Sequence, residues 1–191
     1  MVGFGGTGVM LLGVVVAGAA CGLLGLLLVR PLGWVSAAAI AGFVWSVAVI
    51  GLVTLVPAEA NPGIVPAEGR LTSCSWDIGG PAPDGFWIFQ SGQRALNTVL
   101  FVPAGALLVL AVGRWRAGWL LAPLGVAALA GYSVVIEKTQ LELARIDRAC
   151  DVTDIIDNST GAALGALVGL VLLVVLQPWR HRRRKLSGAH H

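Results

Sequence analysis

Histidine is almost missing from this chain: there are three, His181, His190 and His191, all in residues 181–191. Without one in the body of the protein, no serine–histidine or cysteine–histidine couple can be built there. No G-x-S-x-G segment occurs either. Cysteine is scarce, with only Cys21, Cys74 and Cys150 and no C-x-x-C spacing, so no metal site and no cofactor is expected. Charge is the largest deficit. Charged residues make up 12% of the chain against 57% hydrophobic, and the mean hydropathy is +0.84. Soluble domains carry roughly a quarter charged residues, so this balance excludes one. The apolar segments also lack period-two alternation, which excludes a membrane barrel.

What is present is apolar sequence in long runs. Five stretches, 8–29, 34–56, 96–112, 119–136 and 159–176, approach or reach the roughly 20 residues a helix needs to cross hydrocarbon. Only helices and closed barrels satisfy their backbone polar groups in lipid, and the runs are continuous. The expected fold is therefore an all-α integral membrane protein, a bundle of about five transmembrane helices with one long extracytoplasmic loop. Residues 1–95 supply two N-terminal helices and that loop (57–95). Residues 96–178 form a three-helix membrane core, and 179–191 a basic cytoplasmic tail. No basic residue precedes the first stretch, so it is read as a retained membrane helix rather than a signal peptide. Cys21 after Gly18-Ala19-Ala20 is too weak a match to a lipoprotein cleavage site to alter that.

The basic residues sort by side. Arg30, Arg114, Arg116, Arg180, Arg182, Arg183, Arg184 and Lys185 share one side with no acidic residue among them. The other takes Arg70, Arg94, Lys138, Arg145, Arg148 and all ten acidic residues. The positive-inside rule then puts the N-terminus outside and the C-terminus in the cytoplasm. The RHRRRK tail reads as an anchor on anionic headgroups, not as a nucleic-acid patch. Cys74 and Cys150 both fall on the outer, oxidising side, and a disulfide between them is expected. The loop 57–95 is rich in Pro and Gly and reads as an irregular cap. Trp76, Phe86 and Trp87 suit the membrane interface, and a helix entering the third span is expected from about residue 87.

One run stands out. Between Ser133 and Asn158 lie six of the ten acidic residues, wedged between two apolar segments. Polar groups at the edge of hydrocarbon persist when they pair or perform a function. Ser133, Glu137 and Gln140 fall at i, i+4 and i+7, on one helix face. Asp154, Asn158, Gly161 and Gly165 do the same on the next helix, with Asp151 placed to cap it. Gly161, Gly165 and Gly169 make a ridge against which a neighbour can pack closely. Asn97, Phe101 and Gly105 recur at four-residue steps on the third span, where Pro103 is expected to bend the helix. The alternating directions of the spans bring Asn97, Glu137, Gln140, Asp154 and Asn158 to one level, near the outer boundary, with Arg145 and Arg148 as counter-charges. The pattern alone fits a ligand site and a hydrogen-bonded structural knot equally well.

Three blocks, Asn97-Thr-Val-Leu-Phe-Val-Pro-Ala-Gly105, Ser133-Val-Val-Ile-Glu-Lys-Thr-Gln140 and Arg148-Ala-Cys-Asp-Val-Thr-Asp-Ile-Ile-Asp-Asn-Ser-Thr-Gly-Ala-Ala-Leu-Gly165, resemble the VanZ-like family of bacterial membrane proteins. Ala104 stands where that family usually has a large aliphatic residue after the proline. The resemblance implies a multi-pass protein of the bacterial cytoplasmic (inner) membrane, belonging to the cell envelope. The family's founding member is associated with resistance to the lipoglycopeptide teicoplanin.

Two functions are expected from these readings together. The first is binding of an amphiphile, a lipid-linked cell-wall precursor or a lipoglycopeptide, at the outer leaflet, with a bearing on glycopeptide resistance. Asn97, Ser133, Glu137, Gln140, Arg148, Asp151, Asp154 and Asn158 would hold its polar part, with membrane lipids around the protein. The alternative is an intramembrane hydrolase or transferase acting on a lipid-linked substrate, with Glu137 as general base, Asp151 or Asp154 assisting and Arg148 stabilising phosphate charge. A proton-coupled transporter would need acids deeper in the membrane. The sequence assigns no oligomeric state.

Overall fold

The computed structural model describes residues 5–59, 63–76, 78, 92–144 and 150–177. Among these, five helices are long and apolar enough to cross a membrane: α1 (Thr7–Leu32), α2 (Trp34–Leu55), α3 (Gly92–Val112), α4 (Gly118–Leu143) and α5 (Val152–Leu176). A single 3-10 turn, Ala67–Gly69, lies between α2 and α3, and the described residues contain no strand. The chain is an all-α, multi-pass membrane protein. Four hydroxyls inside the spans are satisfied locally: those of Ser46, Thr54, Thr139 and Thr160 each donate to the carbonyl four residues earlier.

Helices α1 and α2 form an antiparallel hairpin whose whole connection is Gly33. Its backbone, φ 82°, lies where a side chain would be strained, so glycine is required for so short a turn. Small residues let the pair close up. Gly18 meets the Trp45 ring and Gly25 meets Ala41, while Trp45 Nε1 donates to the Val14 carbonyl at 3.0 Å. The opposite flank of α1, with Leu12, Val15, Leu23 and Leu27, is exposed, as suits a helix facing lipid. The α1 span is the least buried of the five and the α3 span the most.

The tightest packing joins α3 to α5, which run in the same direction. A Cβ built on Gly161, Gly165 or Gly169 would collide with the carbonyl of Thr98, Val102 or Ala106 respectively. The ridge foreseen on α5 therefore presses on the backbone of α3, and close approach without side chains is what holds helices together where lipid supplies no hydrophobic drive. A core of Ile50, Phe101, Ala104, Leu108, Leu129, Ile136 and Ala162 fills the space between α2, α3, α4 and α5. Pro103 lies within α3, and Gly105 faces the backbone of α5 at Ala162.

Three helix ends differ from the apolar stretches. The third span starts at Gly92 rather than 96, the fourth runs on to Leu143 past 136, and the fifth begins at Val152 rather than 159. In each case the added turns are polar but keep helical spacing, and one face is buried (Arg94; Glu137 and Gln140; Thr153, Asp157 and Asn158), while Lys138, Glu142 and Leu143 of α4 are exposed. Helix α4 stops at Ala144, φ 47°, whose N–H closes on the Gln140 carbonyl.

At this end of the bundle the chain is stitched together by backbone. Gly6 and Thr7 donate to Pro57 and Ala58, and Val65 donates to Ala144. Ser75 donates to Cys150 and accepts from Val152, a parallel bridge centred on Ser75 and Asp151. The expected disulfide is present: Cys74 and Cys150 are joined, with Cα atoms 4.7 Å apart. Trp76 is exposed. Phe86, Trp87 and the proposed approach to the third span before Gly92 lie outside the described residues, as does the basic tail. The other end of the bundle carries Gly33 and the α3–α4 turn, where Arg114 Nη1 donates to the Leu32 carbonyl at 2.7 Å.

Candidate functional site

The polar residues of the central run meet at the stitched end. Ser133, Glu137 and Gln140 share one face of α4, and all three are buried. Each reaches a different element. The Ser133 hydroxyl accepts from Asn158 Nδ2 of α5 at 2.9 Å. Glu137 Oε2 accepts from the backbone N–H of Asp151 at 3.1 Å. Gln140 Nε2 donates to the Thr54 carbonyl at the end of α2, at 3.0 Å.

Asp151 caps α5. Its Oδ1 accepts from the Thr153 N–H at 2.8 Å, pairing one of the free donors of the first turn. It thereby links three structures: the helix it caps, Glu137 of α4, and the segment at Ser75 that bridges to it. Asp154, in that first turn, is half-buried and engaged with a neighbour. A carboxylate there is favoured by the positive end of the helix dipole.

The ion pair at this level is one that the run itself did not suggest. Arg94 on α3 donates through Nε and Nη2 to both oxygens of Asp157 on α5, at 2.8 and 3.0 Å. Asp157 is fully buried and Arg94 nearly so. The two-pronged geometry is the strong form of the arginine–carboxylate pair. Arg145 and Arg148, expected to supply counter-charge, lie outside the described residues.

Most donors and acceptors in this layer are paired, but a few are not. Among the described residues, Asn97 Nδ2, Thr98 Oγ1 and Asn158 Oδ1 are buried with no hydrogen-bond partner. An unsatisfied buried polar atom costs about 1–3 kcal/mol, so such atoms call for an explanation. Asn97 and Asn158 are two of the residues singled out in the sequence, and the leftover atoms are one donor and one acceptor. Glu137, by contrast, is 2% exposed and already holds a backbone N–H.

Sequence reasoning missed Arg94, Thr98 and Asp157. Arg94 lies within the stretch 57–95 that composition marks as loop, and Asp157 is adjacent in sequence to Asn158 but off the four-residue steps from Asp154. The signal was available: stepping back four residues along the Gly169, Gly165, Gly161 ridge reaches Asp157, and stepping back from Ala106, Val102 and Thr98 reaches Arg94.

The VanZ/LLP1 family model matches residues 43–175, from within α2 almost to the end of α5. No curated protein and no solved structure matches the chain.

Proposed function

The chain belongs to the VanZ/LLP1 family, and we propose that it binds the polar headgroup of a membrane amphiphile at the stitched end of the bundle. On this reading that end faces outward from a bacterial cytoplasmic membrane, as the segregation of basic residues favours. The ligand is a lipid-linked cell-wall precursor or a lipoglycopeptide, its apolar chain lying along the helices. Any bearing on glycopeptide resistance rests on the second of these.

The observation that carries the proposal is the unpaired donor and acceptor of Asn97 and Asn158, beside the unpaired Thr98 hydroxyl, within a layer whose other named groups are bonded. A headgroup hydroxyl, which both donates and accepts, would complete both, while an ionised phosphate, which only accepts, would complete Asn97. Half-buried Asp151 and Asp154 lie at the start of α5, on the rim of that layer. The alternative, Glu137 as general base of a hydrolase or transferase, has less support. The carboxylate is enclosed and braces the backbone of Asp151.

The test is thermal denaturation of the purified chain with a polyprenyl phosphate and, separately, with a lipoglycopeptide. Binding raises the melting temperature with at least one of them, and Asn97→Leu, which keeps the branching at Cγ but removes the amide, abolishes the rise. A melting temperature that neither ligand shifts would overturn the proposal.

A further inference from the structure

At the end of the bundle away from this layer, α4 and α5 leave a cleft of about 700 Å³ between them, floored by α3. Small residues create it: Gly113, Gly118, Ala122, Ala163 and Ala166 line the walls. The bonds that draw α4 onto α5, Ser133 to Asn158 and Glu137 to Asp151, all lie at the other end. The volume falls within the roughly 300–1,000 Å³ of ligand sites. The wall is apolar except at the α3–α4 turn, where Arg116 joins Trp115 and Trp119 in lining it.

Arg116 is exposed and forms no ion pair among the described residues. Its neighbour Arg114 is committed to the Leu32 carbonyl and lies 5.5 Å from the Trp115 ring centroid. An apolar trough with one free guanidinium at its mouth and tryptophans beside it matches an acyl chain below an anionic headgroup. We propose that this cleft binds one acyl chain of an anionic phospholipid, its phosphate held by Arg116. A second copy of the chain is the competing occupant of a groove lined by small residues. In a two-fold contact the same patch faces itself, so it would set Arg116 against Arg116.

The test uses tryptophan fluorescence of the full chain in phosphatidylcholine vesicles. A minor fraction of either dibrominated phosphatidylglycerol or dibrominated phosphatidylcholine serves as quencher. Saturable quenching that favours phosphatidylglycerol roughly fivefold is expected, the factor a single arginine near an anionic surface supplies. Arg116→Gln and the cleft-filling Ala163→Leu should each abolish the preference. Equal quenching by the two lipids would overturn the proposal. So would a preference that survives Ala163→Leu, which assigns it to surface charge alone. Dimers cross-linked through residues 115–119, with the turn shielded from both lipids, would give the cleft to a second copy. Circular dichroism checks that Ala163→Leu folds; should it not, the smaller Ala163→Val takes its place in the same comparison.

Discussion

Arg94 and Asp157 form the first rung of a register that continues down two helices. Asp157 takes both arms of the Arg94 guanidinium. One, two and three turns on, Gly161, Gly165 and Gly169 press on the carbonyls of Thr98, Val102 and Ala106. Charge fixes the sliding position of α5 on α3, and the glycines let the backbones close. A buried pair of this kind adds little net stability over apolar residues of similar size, but removing one member leaves a charge without its partner.

Breaking the pair on one side should therefore be far worse than removing both. Arg94→Met or Asp157→Leu alone is expected to destabilise by about 3–5 kcal/mol. The double variant should recover most of that loss. Denaturant titration of the four proteins in detergent, arranged as a double-mutant cycle, measures it. Additive losses in the double variant would contradict the pairing.

Glycine substitutions should separate the packed face from the lipid face. Gly165→Ala puts a Cβ into the Val102 carbonyl and is expected to cost about 1–3 kcal/mol as α3 and α5 move apart. A Cβ at Gly131 of α4 meets nothing within 4 Å, so Gly131→Ala should be neutral or stabilise by about 0.5–1 kcal/mol. Melting temperatures of the two variants should move in opposite directions, or one should stay still.

The disulfide closes a loop across a sequence separation of 76 residues, and in the chain-entropy account a soluble loop of that length is worth about 4 kcal/mol. Here α3 and α4 lie inside the loop and remain inserted in a membrane-unfolded state, so the loss on reduction should be smaller. Its local effect should be larger than its global one. With Cys74 released, the bridge at Ser75 and Asp151 loses its covalent neighbour, and amide exchange at Ser75 and Val152 should speed up under dithiothreitol. Protection in the middle of α3 should not change.

The spans and the three polar blocks were legible in the sequence because apolar run length and four-residue spacing are local properties. Ser133, Glu137 and Gln140 share a face for that reason, and Asp151 announces the start of α5. The partners were not legible. Gln140 reaches the Thr54 carbonyl across 86 positions and Arg94 reaches Asp157 across 63, and nothing local fixes which helices become neighbours. Apolar run length alone stops short of the helix ends. Hydropathy marks where apolar sequence stops, whereas α4 and α5 continue into polar turns with one face buried by packing, which four-residue spacing and the Asp151 cap do reveal.

Glu137 tests what kind of layer this is. Its Oε2 receives the Asp151 N–H, and Asp151 in turn caps α5 through Thr153. Glutamine can still accept that N–H through its carbonyl oxygen, exchanging a charge-assisted bond for a neutral one. Glu137→Gln should thus lose about 1 kcal/mol and keep its fold. Alanine leaves both a void and an unpaired N–H next to Cys150, and should lose clearly more, by the sum of a cavity and an unsatisfied donor. If Glu137 is a brace, the glutamine variant also keeps the melting-temperature rise given by the amphiphile. A variant that folds and binds normally but loses turnover of a lipid-linked substrate would instead make Glu137 the base of an enzyme. Measuring stability, ligand shift and turnover on this one protein separates the two, because only the catalytic role depends on a carboxylate that can take up a proton.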